Sequence, residues 1–323
     1  MIDVKNLVKR YGPHTAVDDI SFNIDEGEIV GFLGPNGAGK STTMNIITGY
    51  LSSSSGACKV DGFDILEEPN EVKKRIGYLP EQPPLYLEMT VREYLDFVYD
   101  IKKCTLPRKE HIAEICKMVR IENYYTRRIQ SLSKGYRQRV GIAQALINNP
   151  KVIILDEPTV GLDPEQIIEI RSLIRQLGKQ HTIILSSHIL QEIEAVCNRV
   201  VIINKGRLVA DGKISELTAQ YSKDLRIVIQ VAGAENDVLA LLRKIPDVDS
   251  VSTLGEKEKG VFAFSVEPKH NADDIRREIN KRLAASNYPI MELTSRKMTL
   301  EDVFISLTKA GQPPKKSSKG GNK

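Results

Sequence analysis

The sequence contains no long apolar segment. Its longest purely apolar runs, such as "VIIL" at 152–155 and "VVII" at 200–203, fall far short of the roughly 20 apolar residues that a membrane-spanning helix needs. The amino-terminal residues "MIDVKNLVKRYG" also lack the apolar core of a secretory signal peptide. These absences argue against membrane insertion and secretion, and we expect a cytosolic protein.

Cysteine is scarce, with four residues in a chain of 323. Their spacing matches no metal-ligand pattern, which argues against a zinc site. We therefore interpret them as ordinary buried or surface thiols. They are Cys58, Cys104, Cys116 and Cys197.

Positive charge is concentrated near one end of the sequence. The net charge is +4, but residues 309–323 contain five lysines and no acidic residue, so residues 1–308 are close to neutral. A segment this rich in Pro, Gly, Ser and Lys cannot form a core, and we predict a disordered basic tail. It is either a solvated terminus or a weak contact with anionic lipid. Because a nucleic-acid-binding domain usually carries a basic face, we expect no nucleic-acid partner.

The remaining residues indicate two domains. Residues 1–218 alternate short apolar runs with helical patterns, which predicts an α/β domain whose mainly parallel sheet is covered by helices on both faces. Residues 83–130 interrupt this alternation with consecutive amphipathic helices, which predicts a helical insertion. Residues 225–308 read β-α-β-β-α-β, which predicts a small α+β accessory domain without a catalytic constellation. The buried strands are expected at 28–34, 152–158, 182–188 and 200–206.

The segment "GPNGAGKST" matches the phosphate-binding pattern G-x-x-x-x-G-K-[ST]. It follows a predicted strand and opens a predicted helix, so backbone N–H groups and the helix N-terminus face the phosphates of a nucleoside triphosphate. Lys40 is expected to reach the β- and γ-phosphates and Ser41 to ligate Mg²⁺. The predicted nucleotide-binding residues of this loop are Gly34, Pro35, Asn36, Gly37, Ala38, Gly39, Lys40, Ser41 and Thr42.

Carboxylates and a histidine end two further strands. Asp156, at the end of "VIILD", is expected to hold Mg²⁺ directly or through water, and Glu157 to act as the general base toward an attacking water. His188 ends "TIILSSH", and adjacent strands would deliver it to the same sheet edge, where it can donate to the γ-phosphate or orient the water. The alternatives are that the acids are helix caps or surface charges and that the histidine is structural.

Together with a second loop, "LSKGYRQR", and with "GLDP", these motifs resemble the ATP-binding cassette (ABC) ATPases over residues 1–218. The resemblance implies a P-loop NTPase fold of the ABC type and two cassettes arranged head to tail. ATP would be held between the phosphate loop of one subunit and the signature loop of the other. The implied signature residues, which act on the opposite subunit, are Leu132, Ser133, Lys134, Gly135 and Tyr136.

Two signature positions depart from the commoner form LSGGQ. Lys134 replaces the first glycine of that pair and Tyr136 replaces the glutamine, whereas Ser133 and Gly135 are retained. We expect the phosphate contact of Ser133 and Gly135 to be preserved. Lys134 either adds charge near the phosphates or faces solvent.

The resemblance assigns roles to four more residues. Tyr11 matches the aromatic residue that stacks on adenine, and Asp163 of "GLDP" matches the loop that couples the two sites. In "GYLPEQPPLY", Glu81 aligns with the usual glutamine and Gln82 follows it. Glu81, with Gln82 as the alternate, is expected to couple nucleotide state to the helical insertion, and Ser41, Asp156 and Glu81 form the implied Mg²⁺ site.

The implied function is that of an ATP-binding and ATP-hydrolysing subunit of an ABC transporter. The segments "GYLPEQPPLYLEMTVREYL" and "TLEDVFISLT" resemble the bacterial exporter branch, which includes cassettes named for gliding motility. The implied partners are a separate transmembrane permease subunit and a second cassette, either another copy or a paralogue. The implied location is the cytoplasm, peripheral on the inner face of the cell membrane.

A different class is a non-transport ABC-type ATPase acting on the ribosome or on DNA. The DNA type inserts a long coiled coil between its two loops, but here about ninety residues without sustained heptads separate them. The ribosomal type usually carries two cassettes, and this sequence has one phosphate loop. A regulatory module without turnover would not need the general base, Glu157.

Overall fold

The computed structural model describes residues 1–221, 226–269, 274–296 and 299–310. Within these residues the chain divides into two compact units. Unit 1 contains Met1–Ile214 and 307–310, and unit 2 contains Ser215–Ser306. Residues 215–218, predicted to end the first domain, group with unit 2, and 307–308, predicted in the second domain, group with unit 1. The predicted start of that domain at 225, and the predicted basic tail from 311 onward, lie outside the described residues.

Unit 1 is built from strands β1 to β10 and helices α1 to α7. The strands are β1 (Ile2–Tyr11), β2 (His14–Ile24), β3 (Ile29–Leu33), β4 (Ser55–Val60), β5 (Phe63–Asp64), β6 (Ile76–Leu79), β7 (Val152–Asp156), β8 (Thr182–Ser186), β9 (Arg199–Asn204) and β10 (Arg207–Lys213). The helices are α1 (Lys40–Ile47), α2 (Pro69–Arg75), α3 (Val91–Ile101), α4 (Arg108–Met118), α5 (Lys134–Leu146), α6 (Pro164–Leu177) and α7 (Leu190–Val196).

The larger sheet of unit 1 has the strand order β10-β9-β3-β8-β7-β6. Every neighbouring pair in it is parallel except β9 with β10, which is antiparallel. All residues of β7 and β8 are buried, as expected for apolar strands that are covered on both faces. Because the strands are parallel, the loops that follow β3, β7 and β8 meet at one edge of the sheet.

The smaller sheet of unit 1, with the order β2-β1-β4-β5, is antiparallel. This sheet is not expected from the sequence, in which residues 1–218 outside the helical insertion predict strands that alternate with helices. The pairing of β1 with β2 contains register shifts between Val4 and Leu7, between Leu7 and Lys9, and between Lys9 and Arg10. Such irregularities break the period-two pattern that would identify the strands. Its buried side chains, including Phe22, share one core with Phe32 and Met44 of the phosphate-loop region.

The helical insertion lies between β6 and β7. It contains α3 and α4, as the amphipathic pattern predicts, then 3₁₀ turns at Glu122–Tyr124 and Ile129–Ser131, and finally α5. Thr90 caps α3 through a capping box: its hydroxyl accepts from the Glu93 backbone N–H, and the Glu93 carboxylate accepts from the Thr90 backbone N–H. This capping box therefore fixes the residue at which the insertion turns into a helix.

Unit 2 has the predicted β-α-β-β-α-β order. Its sheet, β12-β13-β11-β14, is antiparallel throughout and packs Phe264 and Val266 against α9 and α10 residues such as Leu242 and Leu283. Helices also precede and follow this core. The elements are α8 (Ile214–Tyr221), β11 (Arg226–Ala232), α9 (Glu235–Arg243), β12 (Val248–Glu258), β13 (Val261–Pro268), α10 (Arg276–Ala285), β14 (Ile290–Arg296) and α11 (Leu300–Ala310).

The helices in the described residues are short; α6, for example, has 14 residues. Over the ranges that the structure describes, none combines the length and the apolar character needed to cross a bilayer.

We predict that Thr90→Ala lowers the free energy of unfolding by about 1 kcal/mol, because it removes the side-chain acceptor at the start of α3. Urea unfolding followed by circular dichroism measures this change. Thr126→Ala, at an exposed threonine of the same insertion, is the matched control and should stay close to wild type. Equal losses in the two variants would show that the capping box does not stabilise the insertion.

Candidate active site

The phosphate loop joins β3 to α1, and two of its glycines have backbone conformations that allow its tight turn. Gly37 (φ 76°) and Gly39 (φ 105°) adopt the left-handed region that favours glycine. A Cβ on Gly39 would lie 2.5 Å from the Ala16 carbonyl oxygen. The backbone therefore passes too close to β2 for any other residue, and this fixes the curvature of the loop before α1 begins at Lys40.

Lys40 points into the loop that precedes it. Its Nζ donates to the carbonyl oxygens of Gly34 (2.7 Å) and Pro35 (3.3 Å). Burial lowers the pKa of Lys40, and the nearby carboxylates of Glu157 and Asp156 oppose that shift. The ammonium group is thus held in a partly dehydrated place where it can interact strongly with phosphate oxygens.

The pairing of β7 with β8 sets Asp156 opposite Ser186. The Ser186 hydroxyl donates to Asp156 Oδ1 and accepts from the Glu157 backbone N–H at 3.0 Å. Burial raises the pKa of Asp156, and the hydrogen bond from Ser186 opposes this rise. Ser186 therefore orients both acidic residues. Its role was not predicted, although its position at the end of the neighbouring strand in "SSH" was a usable signal.

Glu157 and His188 are in direct contact. His188 Nδ1 lies 2.8 Å from Glu157 Oε2. Glu157 has φ 50°, which is uncommon for a residue with a side chain and costs about 1–3 kcal/mol. This backbone conformation directs the chain out of β7 immediately after Asp156. The structure therefore brings the two predicted catalytic residues together on adjacent loops.

Two cavities in unit 1 meet at the phosphate loop. The first, of about 650 Å³, is lined mainly by the loop together with Tyr11, Glu81, Glu157 and His188. The second, of about 950 Å³, is lined by residues that include Ser41, Glu81, Gln82 and Asp156. Glu81 lines both cavities, whereas Gln82 lines the second, which is consistent with preferring Glu81 for the coupling role.

An all-oxygen set of possible metal ligands lines the second cavity. It consists of the hydroxyl of Ser41 and the carboxylates of Asp156 and Glu81. Among the described residues there is no cluster of three or more acidic, histidine or cysteine side chains arranged around a metal position. The residues nevertheless fit Mg²⁺, which commonly takes one or two carboxylates and completes its shell with water and substrate phosphates.

The signature segment 132–136 forms the start of α5 and lines neither cavity, in a part of the chain that the structure describes throughout. Ser133 is the N-cap, with its hydroxyl 3.5 Å from the Tyr136 backbone N–H. The ring of Tyr136 packs against that of Tyr124, with centroids 4.0 Å apart and a tilt of 35° between the ring planes. The segment is therefore held by its own contacts and does not line the cavities at the phosphate loop of its own chain.

Two close approaches connect the signature segment to the "GLDP" loop and to α6, the helix that follows it. A Cβ on Gly135 would lie 1.7 Å from Gln166 Oε1, and a Cβ on Gly161 would lie 2.2 Å from Lys134 Nζ. The Lys134 ammonium thus lies close to Gly161 of the same chain, while the residue as a whole is exposed. Asp163 caps α6 by accepting from the Gln166 backbone N–H at 2.9 Å.

Comparison with known proteins places these features in a family. Residues 17–160 match the sequence profile described as ABC transporter. The linearmycin resistance ATP-binding protein LnrL of Bacillus subtilis (strain 168) is 32% identical over 310 residues, which cover 95% of this chain and 98% of LnrL. The bacitracin transport ATP-binding protein BcrA of Bacillus licheniformis is 32% identical over 313 residues, covering 96% and 98%. The chain belongs to the ABC transporter ATP-binding proteins.

Solved structures of ABC cassettes agree with this assignment. An ATP-binding subunit of an ABC transporter superposes with a TM-score of 0.63 at 32% identity and covers 68% of this chain and 93% of its own. The dimeric bacterial ABC transporter cassette MJ0796 gives a TM-score of 0.61 at 29% identity and covers 66% and 98%. The predicted P-loop NTPase fold of the ABC type is therefore confirmed.

The family assignment also decides the function class. The chain is an ATP-binding and ATP-hydrolysing subunit of an ABC transporter, and its relatives include the Nod factor export ATP-binding protein I of Neorhizobium galegae, 34% identical over 311 residues. The prediction of an ATP-hydrolysing subunit of an ABC transporter is confirmed. The alternative, an ATPase acting on the ribosome or DNA, receives no support from these relatives.

We predict that Gly135→Ala disturbs the signature segment, because the added methyl group overlaps Gln166 Oε1. In an unobstructed helix the change from Gly to Ala would gain up to about 1 kcal/mol. Here the methyl group must displace the end of the Gln166 side chain, which donates a hydrogen bond to Asp163, so we expect a net loss of at most about 1 kcal/mol. Urea unfolding and ATP turnover measure the effect. The double variant Gly135→Ala/Gln166→Ala should recover most of the loss. If it recovers nothing, the clash with Gln166 is not the cause.

Proposed function

We propose that this ABC subunit hydrolyses ATP with Glu157 as general base and His188 as its partner at the γ-phosphate. The observation that supports this proposal best is the 2.8 Å contact between His188 Nδ1 and Glu157 Oε2 beside the cavity that contains Lys40 and Ser41. A carboxylate only accepts hydrogen bonds, so Nδ1 carries the proton. Nε2 is then left to face the nucleotide, and it donates to phosphate when the ring is doubly protonated.

The other residues around the first cavity bind and orient ATP. Lys40 exchanges its loop carbonyl partners for β- and γ-phosphate oxygens, and the amides at the start of α1 surround the phosphates. Tyr11, 47% exposed at the end of β1, offers its ring to adenine. Lys9 Nζ lies 5.2 Å from the centroid of that ring, so a cation approaches the proposed base-stacking residue.

Mg²⁺ is the proposed cofactor. Ser41, Asp156 and Glu81 would hold it together with phosphate oxygens and water. When bound, the ion neutralises charge that develops on the transferred phosphoryl group. Ser186 serves this site indirectly, because its hydrogen bond fixes one oxygen of Asp156 and leaves the carboxylate facing a constant direction.

A second cassette would complete each nucleotide site. Ser133 and the N-terminus of α5 form an anion-binding surface, and this surface is separate from the phosphate loop of its own chain. The dimeric structure of the related cassette MJ0796 supports a pairing of two such chains. In this arrangement Ser133 and Gly135 reach the γ-phosphate of the partner's ATP, and Asp163 links the two sites. The partner is a second copy or a paralogue.

A separate transmembrane permease subunit is the other proposed partner, which places the chain at the cytoplasmic face of the cell membrane. The names of the relatives, bacitracin transport and Nod factor export proteins, support this assignment. The second cavity adjoins the helical insertion and is lined by Tyr50, 82% exposed, and by Pro80, Pro84 and Lys102. We propose that a permease segment docks there, where Glu81 can sense nucleotide state.

We predict that Glu157→Gln reduces ATP turnover at least 100-fold, because an amide cannot accept the proton of the attacking water. ATP binding should persist, since the phosphate loop is unchanged. The variant should accumulate as an ATP-bound dimer, which size-exclusion chromatography with light scattering detects. Glu165→Gln, at an exposed acid on α6, is the control and should behave as wild type. Normal turnover by a monomeric Glu157→Gln chain would contradict both the base and the paired arrangement.

We predict that Tyr50→Glu preserves ATP turnover of the isolated chain but weakens docking to the permease. Placing a charge at the centre of an interface should lower affinity about 30-fold or more. Co-sedimentation with membrane vesicles that contain the permease measures binding. Leu66→Glu is the matched control, because Leu66 is 55% exposed and lines neither cavity. Equal binding of both variants would remove the second cavity as the docking surface.

A further inference from the structure

A buried carboxylate lies close behind the catalytic loops. Glu192 belongs to α7, four positions after His188, and is only 3% exposed. Its Oε2 accepts hydrogen bonds from the hydroxyl of Thr159 and, at 3.1 Å, from the hydroxyl of Ser187. Both hydroxyls are buried as well. One carboxylate oxygen therefore joins two loops that come from different strands.

Each of these hydroxyls belongs to a loop that carries a catalytic residue. Ser187 directly precedes His188, and its hydroxyl oxygen also accepts a hydrogen bond from the Ile189 backbone N–H at 3.0 Å. The Ser187 side chain therefore holds the backbone on both sides of the histidine. Thr159 lies two residues after Glu157, in the turn where the Val160 N–H donates to the Glu157 carbonyl oxygen. Glu192 is thus bound to the segments that place both members of the pair.

The second carboxylate oxygen contacts a third element. Glu192 Oε1 lies 3.8 Å from Arg171 Nη2 of α6, within ion-pair range, and has no hydrogen-bond partner. A buried carboxylate that is only partly hydrogen-bonded costs stability, and an apolar side chain of similar size would often be cheaper. Stability alone is therefore a poor reason for a glutamate here, whereas the fixing of two loops is a specific one.

We propose that Glu192 is a positioning residue for ATP hydrolysis, holding the loops after β7 and β8 at the spacing that the Glu157–His188 contact requires. This inference rests on the roles proposed above for Glu157 and His188. A hydrogen bond such as their 2.8 Å contact tolerates displacements of only a few tenths of an ångström. A misplacement of about 1 Å at a catalytic centre can lower the rate about 100-fold. The polar partners of Glu192 are Thr159, Ser187 and Arg171, none of which belongs to the phosphate loop, so ATP binding should be largely independent of it.

The test compares Glu192→Gln and Glu192→Ala with wild type in steady-state ATP hydrolysis and in binding of a fluorescent ATP analogue. Gln191→Ala, at the exposed neighbouring residue of the same helix, is the matched control. We expect kcat to fall about 10-fold for the glutamine variant and about 100-fold for the alanine variant, with KM for ATP and analogue affinity within about 2-fold of wild type. Thr159→Val removes one of the two hydroxyl donors to Glu192. It should lower kcat by a factor between those of the two Glu192 variants.

A double-variant cycle separates positioning from general destabilisation. In the His188→Ala background, Glu192→Gln should lower kcat much less than in wild type, because there is no longer a histidine for the loops to position. Two results would overturn the inference. One is that the kcat losses of Glu192→Gln and His188→Ala multiply in full in the double variant. The other is that Glu192→Gln lowers analogue binding and the melting temperature while kcat per folded chain is unchanged. If Glu157→Gln loses turnover while Glu192→Ala retains it, only this inference fails. If Glu157→Gln itself retains turnover, the proposed catalytic roles fail.

Discussion

The register between β7 and β8 is the constraint on which the rest of unit 1 depends. Parallel pairing puts Asp156 opposite Ser186, so that one hydroxyl fixes the Asp156 carboxylate and the Glu157 backbone together. A slip of one residue would turn each of these side chains to the other face of the sheet. The buried, apolar sequences of the two strands make such a slip very costly, and thereby hold the catalytic loops in register.

At this edge of the sheet, buried groups of opposite charge partly stabilise each other's charged forms. Burial disfavours the charged forms of both Lys40 and Asp156, lowering the pKa of the first and raising that of the second. Their opposite charges partly offset the two shifts. Incoming phosphates and Mg²⁺ would extend the same compensation, so the site is prepared for a highly charged substrate. In the arrangement that we propose, the signature segment of a second chain supplies the remaining donors, since this segment does not line the phosphate-loop cavities of its own chain.

The sequence predicted the parts of the structure whose signals are local. Continuous apolar runs identified β7 and β8, and the phosphate loop was recognisable from its glycines and Lys40. The antiparallel sheet that contains β1 was missed, because register shifts interrupt its alternation. Ser186 and Glu192 were missed for a different reason. Their importance depends on which strands are neighbours and on which loops they join, and neither a serine nor a glutamate carries that information by itself.

The central claim is that the γ-phosphate lies between the phosphate loop of one chain and the signature loop of another. Irradiation of a chain trapped with ADP, Mg²⁺ and vanadate cuts the backbone beside the vanadate, and mass spectrometry locates the cuts. We expect cuts within residues 34–42 and also at Ser133 or its neighbours, the latter on a differently tagged partner chain. Cuts confined to the phosphate loop, with none at the signature segment, would contradict it.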